Sequence, residues 1–269
     1  KWFGDPRRVR RVYVRLGAMP VTRDVVIVGG GIVGASVAYH LLERDGRLRV
    51  VLLERESEVG TGATAKATGG VRHQFSTEAN VRLTLLSYPY FRDARARLGC
   101  TVDFVAHGYL FVTTNRATLE ASARAVGLQR SLGVASEIVA PGELVRFLPA
   151  LQTDDLVGGS FCAADGSADP HALLHAFLGL ARSRGRDQRT GAPVTTVLRD
   201  GRRVAGVATP AGEISAPIVI DCAGPRADEV GALAGVDIPS KPYRRQVVVT
   251  EPLPLLPEVF PLIVALDTG

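Results

Sequence analysis

The sequence predicts an α/β protein built on a parallel sheet with helices on its faces. Three observations predict this class: a β-branched run at residues 24–28, a glycine-rich turn directly after it, and a helical segment that leads into a second apolar run. Strands buried on both faces of a parallel sheet read as continuous apolar runs, and helices connect them. We therefore expect the chain to begin with a Rossmann-like βαβ unit.

The glycine-rich turn is the first element with a chemical role. It matches G-x-G-x-x-G at Gly29, Gly31 and Gly34. The first glycine permits the tight turn, the second lets the backbone approach a pyrophosphate, and the third lets helix and strand pack closely. Ile32 and Val33 begin the next helix, whose free N–H groups and positive dipole end favour phosphate. We predict that these five residues bind a dinucleotide.

The second apolar run ends in an acid. Residues 48–53 lead into Glu54, which lies 20 residues after Gly34. An acid at this spacing accepts hydrogen bonds from the adenosine ribose hydroxyls, and it disfavours the 2′-phosphate of NADP. Glu54 and its neighbour Arg55 are therefore predicted cofactor contacts.

The loop after Glu54 favours a flavin over NAD. In NAD dehydrogenases the second strand usually leads into another helix and strand, whereas here it leads into a loop rich in Gly, Ala and Thr. Small residues let backbone amides approach a flat ring or a phosphate; a flexible surface loop is the alternative. The predicted contacts in this loop are Thr64, Ala65, Lys66, Thr68, Gly69 and Gly70.

The charge and cysteine content disfavour several other classes of protein. The net charge is +5, and residues 1–18 hold six basic residues and one acid, so the remainder is neutral. No recognition motif for nucleic acid accompanies this charge. We expect residues 1–18 to lie outside the fold, with translation starting at Met19; an Arg-rich targeting sequence is the alternative.

Metal, disulfide and membrane functions are also disfavoured. The three cysteines have neither even number nor ligand spacing, which fits a reducing cytoplasm. His171 and His175 have no Glu-rich or Cys partner nearby, so we interpret them as a helix-surface pair and predict no metal site. Residues 25–42 are uncharged, but their four glycines indicate strand, turn and helix rather than a membrane span.

A family resemblance is carried by three motifs: V-I-V-G-G-G-I-V-G-A-S, L-L-E-R and G-A-T-A-K-A-T-G-G-V-R-H-Q-F-S. They resemble the N-terminal region of the D-amino acid oxidase superfamily, and G-G-V-R-H-Q-F resembles its sarcosine oxidase and dimethylglycine dehydrogenase branch. The resemblance implies a Rossmann-like FAD-binding domain of the glutathione reductase type, interleaved with an α+β substrate domain. Because such proteins continue further, we expect this substrate domain to be incomplete and the chain to be C-terminally truncated.

The predicted domains are each discontinuous. The FAD-binding domain comprises residues 19–98 and 161–236, and the substrate domain comprises residues 99–160 and 237–269. Turn residues and apolar runs predict further elements. These are strands at residues 108–113, around 137–139, 190–197, 202–209 and 212–225, and helices at residues 119–132 and from Asp169, with Pro170 in the first turn.

The resemblance also assigns contacts late in the chain. It implies that Val194 contacts adenine through its backbone and that Ala223 and Gly224 return to the dinucleotide crevice. The family commonly has Trp after the following proline, where this chain has Arg226.

The chemistry that the resemblance implies is oxidation of the C–N bond of a small secondary or N-methylated amine or amino acid, with hydride transfer to FAD. The candidate catalytic residues are Arg72 and His73. A guanidinium binds a carboxylate bidentately, and the matching arginine of sarcosine oxidases binds the substrate carboxylate; a structural ion pair is the alternative. His73 is either a polar neighbour or proton relay, or a packed structural histidine.

The expected partners are the amine or amino-acid substrate and an electron acceptor, either oxygen or an electron-transfer protein. Two alternative functions stay open: a flavin-binding protein without turnover and an NAD-linked dehydrogenase. A visible absorption spectrum separates the NAD-linked enzyme from the flavoproteins, and turnover with sarcosine separates the two flavoprotein functions.

Overall fold

The computed structural model describes residues 21–254 and 256–267, so the predicted basic tail and Met19 lie outside the described residues. The described strands are β1 (Val21–Thr22), β2 (Val25–Val28), β3 (Val50–Leu53), β4 (Gly70–Val71), β5 (Tyr109–Thr113), β6 (Ser136–Val139), β7 (Gly158–Cys162), β8 (Gly166–Ser167), β9 (Asp187–Arg189), β10 (Thr196–Asp200), β11 (Arg203–Thr209), β12 (Gly212–Ser215), β13 (Ile218–Asp221) and β14 (Leu262–Ala265). The α-helices are α1 (Ile32–Arg44), α2 (Glu78–Arg92), α3 (Ala94–Leu98), α4 (Arg116–Ser131), α5 (Pro170–Ser183) and α6 (Ala227–Leu233).

The central sheet is parallel and has the strand order β13-β2-β3-β9. All residues of β2 and β3 are buried, as their unbroken apolar sequence predicts. Helices α1 and α5 cover one face, where Tyr39 and Leu42 pack in one core with Leu174 and Phe177. The predicted α/β class with its Rossmann-like unit is confirmed.

A second sheet covers the other face of the parallel sheet. Its order is β1-β12-β11-β10, in which β10, β11 and β12 form an antiparallel meander. Val207 and Ile214 of this meander pack against Val26 and Val51 of the parallel sheet. The parallel sheet is therefore enclosed between a helical layer and a β layer.

A third sheet has the order β14-β5-β7-β6. Strand β7 pairs antiparallel with both β5 and β6, while β14 lies parallel to β5. Its core contains Leu110, Val112 and Val139. Strands β4 and β8 form a small antiparallel sheet. In the chain, β4 precedes the strands of the third sheet and β8 follows β7.

Most predicted elements lie where the sequence placed them. The predicted strand at residues 212–225 is instead two strands, β12 and β13, which lie in different sheets. Strand β10 begins at Thr196 rather than at residue 190. The preceding residues are held in a loop, in which the amides of Gly191 and Ala192 donate to the carbonyls of Glu56 and Glu54. The predicted strand at residues 190–197 is therefore wrong in position.

The predicted domain division runs close to the changes of sheet. Its boundary at residue 161 falls inside β7, although that strand pairs along its length in the third sheet. The division itself stays a prediction. No helix among the described residues has the length and apolar character needed to cross a bilayer.

Candidate active site

The carboxyl ends of β2, β3 and β13 lie at one edge of the parallel sheet and gather residues that are far apart in sequence. Strand β2 leads into the glycine turn, and β3 leads into Glu54. The Glu54 carboxylate accepts hydrogen bonds from Gly30 N at 2.8 Å and from Glu56 N at 2.9 Å. Glu54 is thereby fixed beside the glycine turn. Arg55 is exposed and pairs with Glu56 at 2.9 Å.

Two glycines of the turn have no room for a side chain. Gly29 has a φ of 114°, and a Cβ on it would overlap the carbonyl oxygen of Cys222. A Cβ on Gly34 would overlap the carbonyl oxygen of Gly29. The third predicted position, Gly31, would bring a Cβ to 3.2 Å from the Thr64 hydroxyl. The motif is therefore required by close packing of the turn, the helix and the return from β13.

The N-terminus of α1 faces the predicted phosphate position. The Thr64 hydroxyl accepts a hydrogen bond from Ile32 N at 3.1 Å, and Thr64 is buried. The cap residue Gly31 has no side chain to bond the other first-turn amides. Val33 is 57% exposed, so the start of this helix is open to a ligand. Free amides and the helix dipole together favour an anionic group here.

The loop after β3 contains a 3₁₀ turn, Thr64–Lys66, and otherwise remains irregular until β4. Ala65, Lys66 and Thr68 are exposed. Gly69 has a φ of 76°, and a Cβ there would overlap the carbonyl oxygen of Ala168. A Cβ on Gly70 would overlap the Tyr109 hydroxyl. The last two predicted glycines therefore permit the backbone to pass close to Ala168 and to the Tyr109 side chain of β5.

The return from β13 passes directly beside the glycine turn, as the resemblance implies. The Ala223 amide donates to Asp221 Oδ1 at 2.9 Å, and Gly224 begins an exposed 3₁₀ turn. Burial raises the pKa of Asp221. Val194 is half-buried against the meander side of the parallel sheet. Arg226, which replaces the family's usual Trp, pairs with Glu229 at 2.9 Å.

Arg72 lies in a cleft of about 440 Å³ formed by β4, α2 and Tyr109. Its guanidinium carbon lies 4.5 Å from the centroid of the Phe75 ring and 5.4 Å from that of Phe111. Among the ion pairs of the described residues, none involves Arg72. Aromatic faces attract a guanidinium but leave its N–H donors available.

His73 does not line this cleft. The ring is 3% exposed, its Nδ1 lies 2.7 Å from Asp165 Oδ1, and its edge contacts Tyr88 with 4.5 Å between ring centroids. The backbone amide of His73 donates to the same oxygen at 2.7 Å. The structure thus brings His73 to a buried acid and separates it from Arg72. A role in proton transfer stays a prediction.

Three residues of this region were missed by sequence reasoning. Asp165 precedes a glycine and resembles an ordinary turn residue. Gln74, whose Nε2 donates to Tyr109 O at 2.9 Å, carries no motif of its own. Tyr109 belongs to an apolar strand, where an aromatic residue is expected in the core; burial raises its pKa, and Arg72 lowers it. These residues are far apart in sequence and become neighbours only in the folded structure.

The sequence-based interpretation of metal binding concerned His171 and His175, which lie outside this cluster. His171 and His175 are exposed on α5. Among the described residues, His73, Cys162 and Asp165 have ligand atoms within 4.8 Å of one another. Their arrangement is explained by hydrogen bonds to Asp165, and burial raises the pKa of the Cys162 thiol to about 12.

The residues at the carboxyl edge of the parallel sheet fit the phosphates of a dinucleotide. The turn admits only backbone atoms at Gly29 and Gly34, and the cap residue Gly31 places no side chain over the first turn of α1. A separate groove of about 890 Å³ runs along α1 between α2 and α5, from Ile32 and Val33 to Arg44, and it shares Leu83, Ser87 and Phe91 with the cleft of Arg72. The predicted contacts Gly29, Gly31 and Glu54 do not line this groove.

Sheet, glycine turn and terminal acid define the class: a dinucleotide-binding α/β protein with a second, sheet-based region beside the cofactor crevice. A family model described as "FAD dependent oxidoreductase" matches residues 24–268. The chain belongs to this family of FAD-dependent oxidoreductases, and the prediction of FAD as cofactor is confirmed at the level of the family.

Two mitochondrial dehydrogenases to which the chain is similar agree with the predicted branch. Human mitochondrial sarcosine dehydrogenase is 34% identical over 241 residues, covering 87% of this chain and 26% of that protein. Mouse mitochondrial dimethylglycine dehydrogenase is 30% identical over 260 residues, covering 93% of this chain and 30% of that protein. The chain thus spans less than a third of these two relatives. The cytoplasmic location of this chain stays a prediction.

Solved structures show the same fold. L-proline dehydrogenase from P. horikoshii has a TM-score of 0.77 and 26% identity, covering 92% of this chain and 65% of that one. Glycine oxidase from Geobacillus kaustophilus has a TM-score of 0.67 and 26% identity, covering 80% of this chain and 59% of that one.

Proposed function

We propose that this chain is part of an FAD-dependent oxidoreductase that oxidises the C–N bond of a small secondary or N-methylated amino acid. The observation that carries the proposal is the position of Arg72: this cation lies in a cleft with Gly70, the last predicted contact of the cofactor loop, and has no acidic partner among the described residues. A guanidinium without a partner and backed by aromatic rings is suited to bind a substrate carboxylate.

The names of the relatives support this substrate class. Sarcosine and dimethylglycine are N-methylated amino acids, and they appear in the names of two relatives. The names of solved neighbours refer to proline, a secondary amino acid, and to glycine. Each of these compounds carries a carboxylate next to the carbon that bears nitrogen, which is the group that we assign to Arg72.

The chain's own residues have separate tasks in this proposal. The first turn of α1 binds the pyrophosphate, and Glu54 binds the adenosine ribose. Arg72 holds the substrate carboxylate and would thereby direct the adjacent C–H towards the bound cofactor. FAD, when bound, accepts the hydride equivalent. Oxygen and an electron-transfer protein stay the alternative final acceptors.

The test uses the flavin-reconstituted chain under anaerobic conditions. Sarcosine, dimethylglycine and proline are added separately, and bleaching of the visible flavin bands is recorded. We expect bleaching with at least one of them. Stable bands in the presence of bound FAD would instead support a flavin-binding protein without turnover.

The assignment of Arg72 needs its own variant. We expect Arg72→Met to raise the half-saturating concentration of the bleaching amino acid by about 10- to 100-fold, because a hydrogen-bonded charge pair is lost. Arg82→Met is the control, since Arg82 lies on α2, is exposed and pairs with Glu78 at 2.7 Å. Equal half-saturation in both variants would show that Arg72 does not bind the carboxylate.

A further inference from the structure

A buried acid lies next to the chain segment that contains Arg72. Asp165 is fully buried in the connection between β7 and β8. Its Oδ1 accepts from His73 N and lies 2.7 Å from His73 Nδ1, and its Oδ2 accepts from Gln74 Nε2 at 3.1 Å. One carboxylate thus contacts both residues that follow Arg72.

The hydrogen bonds of this cluster indicate which nitrogen of the His73 ring carries a proton. The backbone amide of His73 and the Gln74 side chain both donate to this carboxylate, so we assign the ring N–H of His73 to Nδ1, from which it donates to Asp165 Oδ1. Because backbone and ring of His73 bond the same oxygen, both the backbone conformation and the ring orientation are restrained. Burying a charge is unfavourable unless it is hydrogen-bonded, and the three donors meet this need.

Gln74 connects the same cluster to the third sheet. Its Nε2 also donates to Tyr109 O at 2.9 Å, and its Oε1 accepts from Ser160 Oγ at 2.8 Å. Strands β5 and β7 therefore hold the segment that follows Arg72. On the preceding side, Val71 pairs with Gly166 in the small sheet of β4 and β8.

The guanidinium of Arg72 contacts the Phe75 and Phe111 rings, and no acidic side chain among the described residues pairs with it. The direction of its guanidinium therefore depends on the conformation of residues 71–74. We propose that Asp165 is a positioning residue, which fixes this segment through His73 and Gln74 and so keeps Arg72 directed into the cleft. This inference rests on the proposed function of Arg72.

A metal centre at the same place is a weaker interpretation of the cluster. Cys162 Sγ lies within 4.8 Å of the His73 and Asp165 ligand atoms. A cation would have to displace the proton on Nδ1, while the backbone amide of His73 and the side chain of Gln74 would still point N–H groups at the carboxylate. Donors directed at Asp165 favour a hydrogen-bonded anion.

The test measures carboxylate binding rather than turnover. Acetate is titrated into the FAD-reconstituted chain, and its Kd is read from the change in the flavin spectrum. We expect Asp165→Ala to raise this Kd by at least about tenfold, because three donors lose their acceptor. Asp165→Asn keeps an acceptor for His73 but turns an NH₂ group towards Gln74, so we expect a smaller rise of about threefold.

Two further readouts separate positioning from general damage to the fold. The Kd for FAD should stay within about twofold of the wild-type value, since Asp165 is not a predicted cofactor contact. In the proton NMR spectrum, the strongly downfield signal expected for the His73 Nδ1–H proton should disappear in Asp165→Ala. Asp187→Asn is the control: it weakens the half-buried pair with Arg23 at 2.8 Å and should leave the acetate Kd unchanged.

The outcomes are distinct. If the wild-type chain binds acetate and both Asp165 variants bind it as tightly, the positioning role is wrong while the proposed function stands. If Asp165→Ala does not fold, an unchanged Kd in Asp165→Asn overturns the inference. A wild-type holoprotein that shows no spectral response to acetate or to the amino acids overturns the proposed function, and the positioning role with it.

Discussion

Close contacts between backbone atoms determine which residues the glycine turn accepts. Gly34 faces the carbonyl oxygen of Gly29 so closely that no side-chain atom fits between them. The predicted role of this glycine, close packing of helix and strand, is therefore an observed feature of the fold. Its sequence spacing was sufficient to identify it, because the contact is local to the βα connection.

Replacing Gly34 by alanine tests this contact. We expect Gly34→Ala to reduce the free energy of unfolding by about 1–3 kcal/mol, since the turn must shift to admit a Cβ. Gly62→Ala is the matched control, because a Cβ at Gly62 meets no atom within 4 Å. Urea unfolding of both variants measures the difference. Equal stability would mean that the turn adapts without cost.

Glu54 and Asp165 differ in how far sequence can identify a buried or half-buried acid. Glu54 was found because it ends a strand at a fixed distance from the glycines. Asp165 has no comparable spacing, since its partners His73 and Gln74 are about ninety residues away. A hydrogen bond between remote segments leaves no periodic trace in the sequence.

Among the helices and strands, those with continuous or periodic apolar sequence were predicted well. Strand β9 (Asp187–Arg189) was missed because its sequence is polar, although it pairs with β3 at the edge of the parallel sheet. Helix α2 was missed because Val81 is its only fully buried residue and Pro89 lies within it. An element that buries little apolar surface has little hydrophobic periodicity.

The N-cap residues of α4 and α2, Asn115 and Thr77, give a prediction for the stability of single helices. The Asn115 side chain accepts from Ala117 N at 2.8 Å and from Thr118 N at 3.2 Å, whereas the Thr77 side chain makes no capping hydrogen bond. We expect Asn115→Ala to lower the free energy of unfolding by about 1 kcal/mol. Thr77→Ala should have a smaller effect, and a reversed order in thermal unfolding would contradict the assigned caps.

Cofactor binding gives a prediction for the whole molecule. A ligand that binds only the folded state stabilises it by about 2.7 kcal/mol at 100 times its Kd. We therefore expect FAD to raise the Tm of the chain, and NADP⁺ to raise it little, because Glu54 is predicted to lie where the 2′-phosphate would be. A rise with NAD⁺ and none with FAD would support the NAD-linked alternative.

The buried thiols predict how stability depends on alkaline pH. Burial, with a smaller contribution from Asp165, raises the pKa of Cys162 to about 12, and burial raises that of Cys222 to about 11. An unfolded thiol ionises near pH 8.5, so this stability is present below about pH 8.5 and is lost as pH rises towards the folded-state values.

We expect the free energy of unfolding to fall above about pH 8.5 by up to about 1.4 kcal/mol per pH unit for each thiol. Urea unfolding between pH 7.5 and 10 measures this slope. The double variant Cys162→Ala and Cys222→Ala should show a shallower slope, and its stability at pH 7.5 gives the packing cost separately. An identical slope in both proteins would rule out the thiols as its cause.

The order of residues along the chain was enough to derive the βαβ unit, the glycine turn, Glu54 and a flavin cofactor, because these depend on contacts between neighbours in sequence and on fixed spacings. Packing in three dimensions was needed to show that Arg72 lies in a cleft with no acidic partner among the residues that the structure describes, and that His73 is buried against Asp165. Those arrangements arise where the small sheet, the third sheet and α2 meet. Side chains from segments so far apart become neighbours only when the sheets have formed.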